Sequence, residues 1–245
     1  MQINFASKEV TLKLVYYGPA LSGKTTNLKS LHQLTPNESR GRLMTLETRD
    51  DRTLFFDTLP ISFKSEGGAT VRMKVLTVPG QVVHASTRRL VLQGADGVIF
   101  VADSQLAETE NNAASFLDLK ANLKENGITM RDMPMVIQFN KRDLPGIRAE
   151  DEIVQMAQKG REPIFLAKAL SGEGVFETFF GLLNLVWSKL ERENQLERTL
   201  GIPGPQFLSL AIASLGVKTT PEQLLAAALG GKGIPVSSVS RGGPL

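Results

Sequence analysis

Residues 9–17 alternate polar and apolar positions, placing Val10, Leu12, Leu14 and Tyr16 on one side of a predicted strand that stops at Gly18. A helix over residues 26–34 opens directly from the Gly-rich turn that follows. Residues 53–61 and 70–78 predict two further strands, and the turn-rich stretch Lys64 to Gly68 between them makes a hairpin. The runs GVIFVAD (97–103) and PMVIQFN (134–140) are short and continuously apolar, as strands buried on both faces are. Between them Phe116, Leu119 and Leu123 recur at helical spacing within 108–125. A short strand near 163–166 precedes a helix over 175–193, where Phe176, Phe179, Phe180, Leu183 and Val186 make a broad apolar face. Alternation of this kind predicts an α/β fold with about six strands, mostly parallel with one antiparallel hairpin strand, flanked by about five helices.

From Leu200 onward Gly, Pro, Ser and Ala rise and charges thin out, so the pattern divides into a domain over 1–195 and a C-terminal extension over 196–245. Within the extension Thr220 can cap a short helix with Pro221 at its first position, ending near Gly230. The segment QFLSLAIASLGV (206–217) is apolar enough to bury, while residues 230–245 have the composition of a disordered end. Three fates are open to the extension: a lid on the domain, a docking element for a partner, or disorder. Its two apolar patches favour docking, on a partner or on the chain itself, because leaving them in water is costly.

Composition narrows the function by exclusion. The formal net charge is +3, without a basic tract or a basic strand carrying aromatics, which argues against nucleic-acid binding. There is no cysteine, so disulfides, thiol catalysis and Cys-based zinc sites are excluded, along with prenylation and palmitoylation. The first residues, MQINFASKEV, do not resemble a secretory signal. Apolar runs fall short of the roughly 20 residues of a spanning helix. The expectation is a cytoplasmic protein with no integral membrane segment. His32 and His84 are too far apart in sequence to suggest a catalytic or metal pair.

The chemistry sits in two loops. GPALSGKT fits the phosphate-loop pattern G-x-x-x-x-G-K-[ST] between a predicted strand and a predicted helix, which is the context this pattern needs. The run comprises Gly18, Pro19, Ala20, Leu21, Ser22, Gly23, Lys24 and Thr25, and Thr26 continues into the helix. Its glycines let successive N–H groups turn inward toward phosphate oxygens, and the helix adds its positive end. Lys24 would place a charge on the β and γ phosphates, and the Thr25 hydroxyl is a hard oxygen suited to Mg²⁺. The second loop, Asn140-Lys141-Arg142-Asp143, follows a buried strand and selects the base. Guanine offers two donors on one edge, which the Asp143 carboxylate can accept together, whereas adenine would set a lone pair against it. Asn140 can tie this loop to the phosphate loop, the Lys141 stem can cover the base, and Lys168-Ala169 would supply a second wall.

Together the two loops resemble the Ras-like small GTPases. The strings YYGPALSGKTTNL, DRTLFFDTLP, TVPGQ, GVIFVADSQ, QFNKRDLP and GVFETF look more closely like the bacterial gliding-motility subfamily known as MglA, over about residues 3–190. The resemblance implies roles for several further residues. Gly80 would offer its N–H to the γ-phosphate, and Gln81 would orient the attacking water. Arg52 resembles a built-in arginine finger, and Thr53 would give Mg²⁺ a second hydroxyl in the GTP state. Where Ras-like proteins carry a metal-shell aspartate this chain has Thr77, and Asp57 on the neighbouring strand is the implied replacement. Asp57 also has a plainer reading, an exposed edge-strand carboxylate, just as Arg52 between Asp50 and Asp51 can be a solvated pair and Gln81 a loop glutamine. Ala20 stands where the family carries glycine, and its methyl crowds the γ-phosphate side, which predicts slow intrinsic turnover.

The resemblance further implies GTP and GDP as ligands, Mg²⁺ as cofactor, and a GTPase-activating partner of the roadblock-dimer type. It also implies effectors in cell polarity or motility, and recruitment to a cell pole. Two functional readings follow: a GTP-hydrolysing switch, and a module that holds GTP with little hydrolysis. A third, a metabolic phosphate-loop kinase, leaves the Asn140–Asp143 loop unexplained.

Overall fold

The computed structural model describes residues 1–4, 6–46, 56–65, 68–79 and 85–230. Strand β2 (Glu9–Tyr17) lies at the centre of an eight-stranded sheet. On one side it pairs in parallel with β5 (Thr70–Thr77), which pairs antiparallel with β4 (Phe56–Lys64), itself antiparallel to β3 (Met44–Leu46). On the other side β6 (Gly97–Asp103), β7 (Met135–Asn140) and β8 (Ile164–Leu166) follow in parallel register. The short β1 (Gln2–Asn4) pairs antiparallel with the start of β2. The six predicted strands are therefore joined by two more of three residues each, β1 and β3, too short to leave a period in the sequence.

Helices cover both faces. On one side α1 (Lys24–Leu34) and α5 (Val175–Asn194) close over Leu12, Leu14, Tyr16, Val71 and Val75. On the other α2 (Ala85–Leu92), α3 (Thr109–Glu125) and α4 (Glu150–Lys159) close over Val15, Tyr17, Val98 and Phe100. All seven residues of β6 are buried, which explains a run with no alternation.

Residues 196–230 hold three helices where the sequence pattern predicts one: α6 (Leu196–Leu200), α7 (Gly204–Ser214) and α8 (Pro221–Ala226). The predicted one is α8, with Thr220 accepting from the Gln223 N–H and the Gln223 side chain returning to the Thr220 N–H. The extra two arise because α5 is apolar on more than its sheet-facing stripe: Trp187 and Leu190 are buried together with Phe207, Leu208 and Leu225 in one continuous core. The chain then reaches the far edge of the sheet, where Leu229 N–H donates to the Ile164 carbonyl at 2.8 Å. The stretch predicted to be disordered lies, from residue 231, outside the described residues. No helix among the described residues is long and apolar enough to cross a membrane.

Candidate functional site

The phosphate loop leaves the buried end of β2 at Gly18, whose φ of +146° and proximity to β6 admit only glycine: a Cβ there would lie 2.2 Å from the Val101 carbonyl oxygen. Gly23 is equally constrained. Its φ is +99°, and a Cβ would lie 2.2 Å from Asn140 Nδ2, so the phosphate loop and the end of β7 touch at this glycine. Helix α1 begins immediately afterwards with no side-chain cap and no acidic residue in its first turn, leaving its positive end toward the loop. Lys24 is buried, and its ammonium donates to the carbonyls of Gly18 at 2.8 Å and Pro19 at 2.5 Å.

Burial, and secondarily the Arg88 guanidinium, bring the Lys24 pKa down to about 7. A polyphosphate beside it would favour the charged form again. In the nucleotide-free protein Lys24 is charged below about pH 7 and loses its proton above it, while the unfolded chain keeps that proton up to 10.5. Lys24 therefore contributes rising stability to the free protein between those values. Nucleotide binding is expected to take up a proton at pH 8 and none at pH 6, so affinity falls as pH rises past 7. Calorimetric titration in buffers of different ionisation enthalpy measures that uptake directly.

Asp57 is buried, so the alternative of an exposed edge carboxylate does not hold. The register that sets Thr58 opposite Leu76 places Asp57 across from Thr77. The Thr77 hydroxyl accepts the Asp57 N–H at 2.9 Å and donates to its carboxylate at 3.2 Å. Thr25 donates to the same carboxylate at 2.6 Å and Thr45 at 2.8 Å. Asp57 thus stands next to the phosphate loop, one strand over from the position at which Ras-like proteins carry their acid. The donors gathered here are hydroxyls and one carboxylate, all hard oxygens, and this chemistry fits Mg²⁺. Thr45, from the three-residue β3, carries no sequence signal. Arg52, Thr53, Gly80 and Gln81, which the resemblance places beside this cluster, lie outside the described residues, as does His84.

Asn140 joins the loop after β2 to the segment after β8. It is buried at the end of β7, its Nδ2 donates to the Ser22 carbonyl at 2.9 Å, and its Oδ1 accepts the Ala169 N–H at 2.9 Å. Ser30 of α1 donates to the Ala169 carbonyl, closing the link between the two walls. Lys141 turns the chain with φ +64°, and its ammonium pairs with buried Asp103 at 2.6 Å. That salt bridge, at the end of β6, is a feature the motif does not reveal. Asp143 is exposed beyond this turn, and Lys168 pairs with Glu173 at 2.9 Å. Pro19 and Ser22 are buried in the loop while Ala20, Leu21 and Thr25 are exposed. Thr26 is half-buried on α1.

Beneath the loops lie two polar networks that the sequence does not announce. Gln138 Nε2 donates to Asn27 Oδ1 and to Thr178 Oγ, both at 3.0 Å, and Asn27 holds the Gly23 carbonyl at 3.0 Å. Tyr17, the residue before Gly18, donates its hydroxyl to Asp118, which also receives the Arg88 guanidinium at 2.8 Å. Burial first, then Asp118, hold the Tyr17 phenol well above its ordinary range. Arg88 is itself buried, so this pair ties α2 and α3 to the strand that carries the phosphate loop.

No family model matches the chain. The mutual gliding-motility protein MglA of Myxococcus xanthus (strain DK1622) is 44% identical over 190 residues, covering 78% of this chain and 97% of that protein. The chain belongs to the MglA family of Ras-like small GTPases. ADP-ribosylation factor-like protein 6 of Caenorhabditis elegans is more distant, 27% identical over 171 residues, which cover 67% of this chain and 80% of that protein. An MglA-family chain is a GTPase: it binds nucleotide, and small GTPases usually do so with Mg²⁺. About a fifth of this MglA-family member falls outside the match to the Myxococcus protein.

Proposed function

We propose that this chain is a GTP-binding and GTP-hydrolysing switch acting in bacterial cell polarity or gliding motility, presenting different surfaces to partners in its GTP and GDP forms. The observation that carries the reading is the Asn140 bridge, which joins the phosphate loop to the base loop through two hydrogen bonds of 2.9 Å. In this reading Gly18 to Thr26 cradle the phosphates, Lys24 charges the β and γ oxygens, and Asp143 accepts both donors of guanine. Lys141, Lys168 and Ala169 wall the base.

Thr25, Thr53 and Asp57 would hold the magnesium ion, which when bound neutralises phosphate charge. Gly80 donates to the γ-phosphate, and Gln81 orients the water that attacks it while GDP leaves. Arg52 balances the charge that develops, an effect of about 10³ to 10⁵ in rate where such an arginine acts. A roadblock-type dimer is the proposed activator, with polarity or motility effectors as further partners and a cytoplasmic chain recruited to a cell pole.

Removing one of guanine's two donors tests the base assignment. Inosine triphosphate lacks the exocyclic amine and is expected to bind the wild type about 10- to 100-fold more weakly than GTP, a difference that Asp143→Ala abolishes. Equal affinities in the wild type would remove Asp143 from the site. Ala20 supports a second reading, a module that holds GTP with little hydrolysis. Single-turnover phosphate release, with and without a roadblock dimer and compared with Gln81→Ala, separates the two. The switch requires activated release that Gln81→Ala loses.

A further inference from the structure

Strand β4 has the nucleotide site at one end and the C-terminal extension at the other. Asp57, Leu59, Ile61 and Phe63 point to one buried face. Asp57 receives the Thr25 hydroxyl of the phosphate loop. Phe63, about 20 Å along the strand, meets Phe207 of α7 with ring centroids 5.8 Å apart. Phe207 in turn stacks on Trp187 of α5 at 3.6 Å and 3° between planes. Trp187 is the chain's only tryptophan.

A second contact joins the same parts. The Ser39 hydroxyl, in the loop after α1, donates to the Ser214 carbonyl at the end of α7 at 2.6 Å. Gly216 lies so close to Pro36 that a Cβ would stand 2.9 Å from its ring. Ser39 is stitched to β4 as well, its carbonyl accepting the Ser62 N–H at 2.9 Å.

We propose that the extension is coupled to the nucleotide site through β4, so that bound nucleotide changes how α7 docks and α7 docking changes the preference for one nucleotide over the other. The inference rests on the guanine-nucleotide reading above. Charge brought beside Asp57 competes for its hydroxyl partners. Because β4 is hydrogen-bonded to β5 along its length, a displacement at Asp57 moves a paired, stiff element rather than a single side chain. Linkage then requires reciprocity: whatever free energy nucleotide exchange spends on the extension, the extension returns to nucleotide affinity. The contacts that matter, Phe63–Phe207 and Ser39–Ser214, belong to this chain's own extension rather than to the nucleotide loops.

Trp187 reports docking directly. In the full chain, its emission and its quenching by acrylamide are expected to differ between the GDP·Mg²⁺ form and the form holding a non-hydrolysable GTP analogue with Mg²⁺. Ser39→Ala, which leaves the aromatic stack in place, is expected to change the ratio of analogue to GDP affinity by about two- to tenfold, and Phe207→Ala by more. Should Phe207→Ala not fold, Ser39→Ala decides alone. A wild type that binds both nucleotides with an unmoved Trp187 signal, and a Ser39→Ala ratio equal to wild type, would overturn the coupling and leave the functional reading intact. A wild type that binds no guanine nucleotide would overturn both.

Discussion

Phe207→Ala is expected to lower the unfolding free energy by about 3–5 kcal/mol, the cost of emptying a large buried aromatic site. Phe207 is fully buried between Trp187 and Phe63, so α5 and β4, both held by other contacts, stand on either side of the space it leaves. Neither can collapse into it without giving up its own packing on the sheet. The loss is a large share of the 5–15 kcal/mol typical of a domain. Urea unfolding followed by Trp187 fluorescence measures it, and a change below about 1 kcal/mol would make the extension an appendage rather than a layer of the fold. Removing residues after Glu197 would uncover Trp187 and its neighbours on α5 altogether, and the expected result is an aggregating protein.

The second large effect concerns the join between the loops. Asn140→Ala removes a donor to the Ser22 carbonyl and an acceptor for the Ala169 N–H, both buried contacts. Each orphaned partner costs about 1–3 kcal/mol. Because the two partners belong to the loop after β2 and to the segment after β8, that cost falls on the relative placement of the parts to which the proposed function assigns phosphate and base. The expected outcome is GTP affinity reduced by about 10²- to 10³-fold, read by titration with a fluorescent guanine nucleotide, and a smaller loss of thermal stability. Asn140→Asp is the sharper control: it keeps an acceptor for Ala169 but sets a carboxylate against the Ser22 carbonyl, so affinity should not recover. Near-wild-type binding by either variant would show that the loops are placed independently of Asn140.

Both effects bear on how the molecule is built. The Asn140 join was within reach of sequence, because Gly23 and Asn140 each belong to a short motif with its own local geometry. Phe207 was not: its partners lie at positions 187 and 63, and nothing in QFLSLAIASLGV distinguishes a segment that covers its own α5 from one that waits for a partner. The same limit applied to Asp57. Resemblance singled it out, but an edge-strand carboxylate and one held by Thr25, Thr45 and Thr77 have the same local sequence, and only strand register tells them apart.

By itself the sequence determined six of the eight strands described and the helices α1, α3, α5 and α8, since strand alternation, continuous apolar runs and Gly-rich turns are written within about ten residues of one another. It also placed the Gly-rich loop after β2 and the Asn140–Asp143 stretch at the end of β7, to which the proposed function assigns phosphate and base through the backbone freedom of Gly18 and Gly23 and the side chains of Lys24, Asn140 and Asp143. The tertiary structure alone decided what joins these pieces: the hydroxyl cluster around Asp57, the Tyr17–Asp118–Arg88 link, and the extension folded back over α5. Each depends on contacts between residues tens to more than a hundred positions apart, and such contacts are selected by packing of the whole chain rather than by any local period.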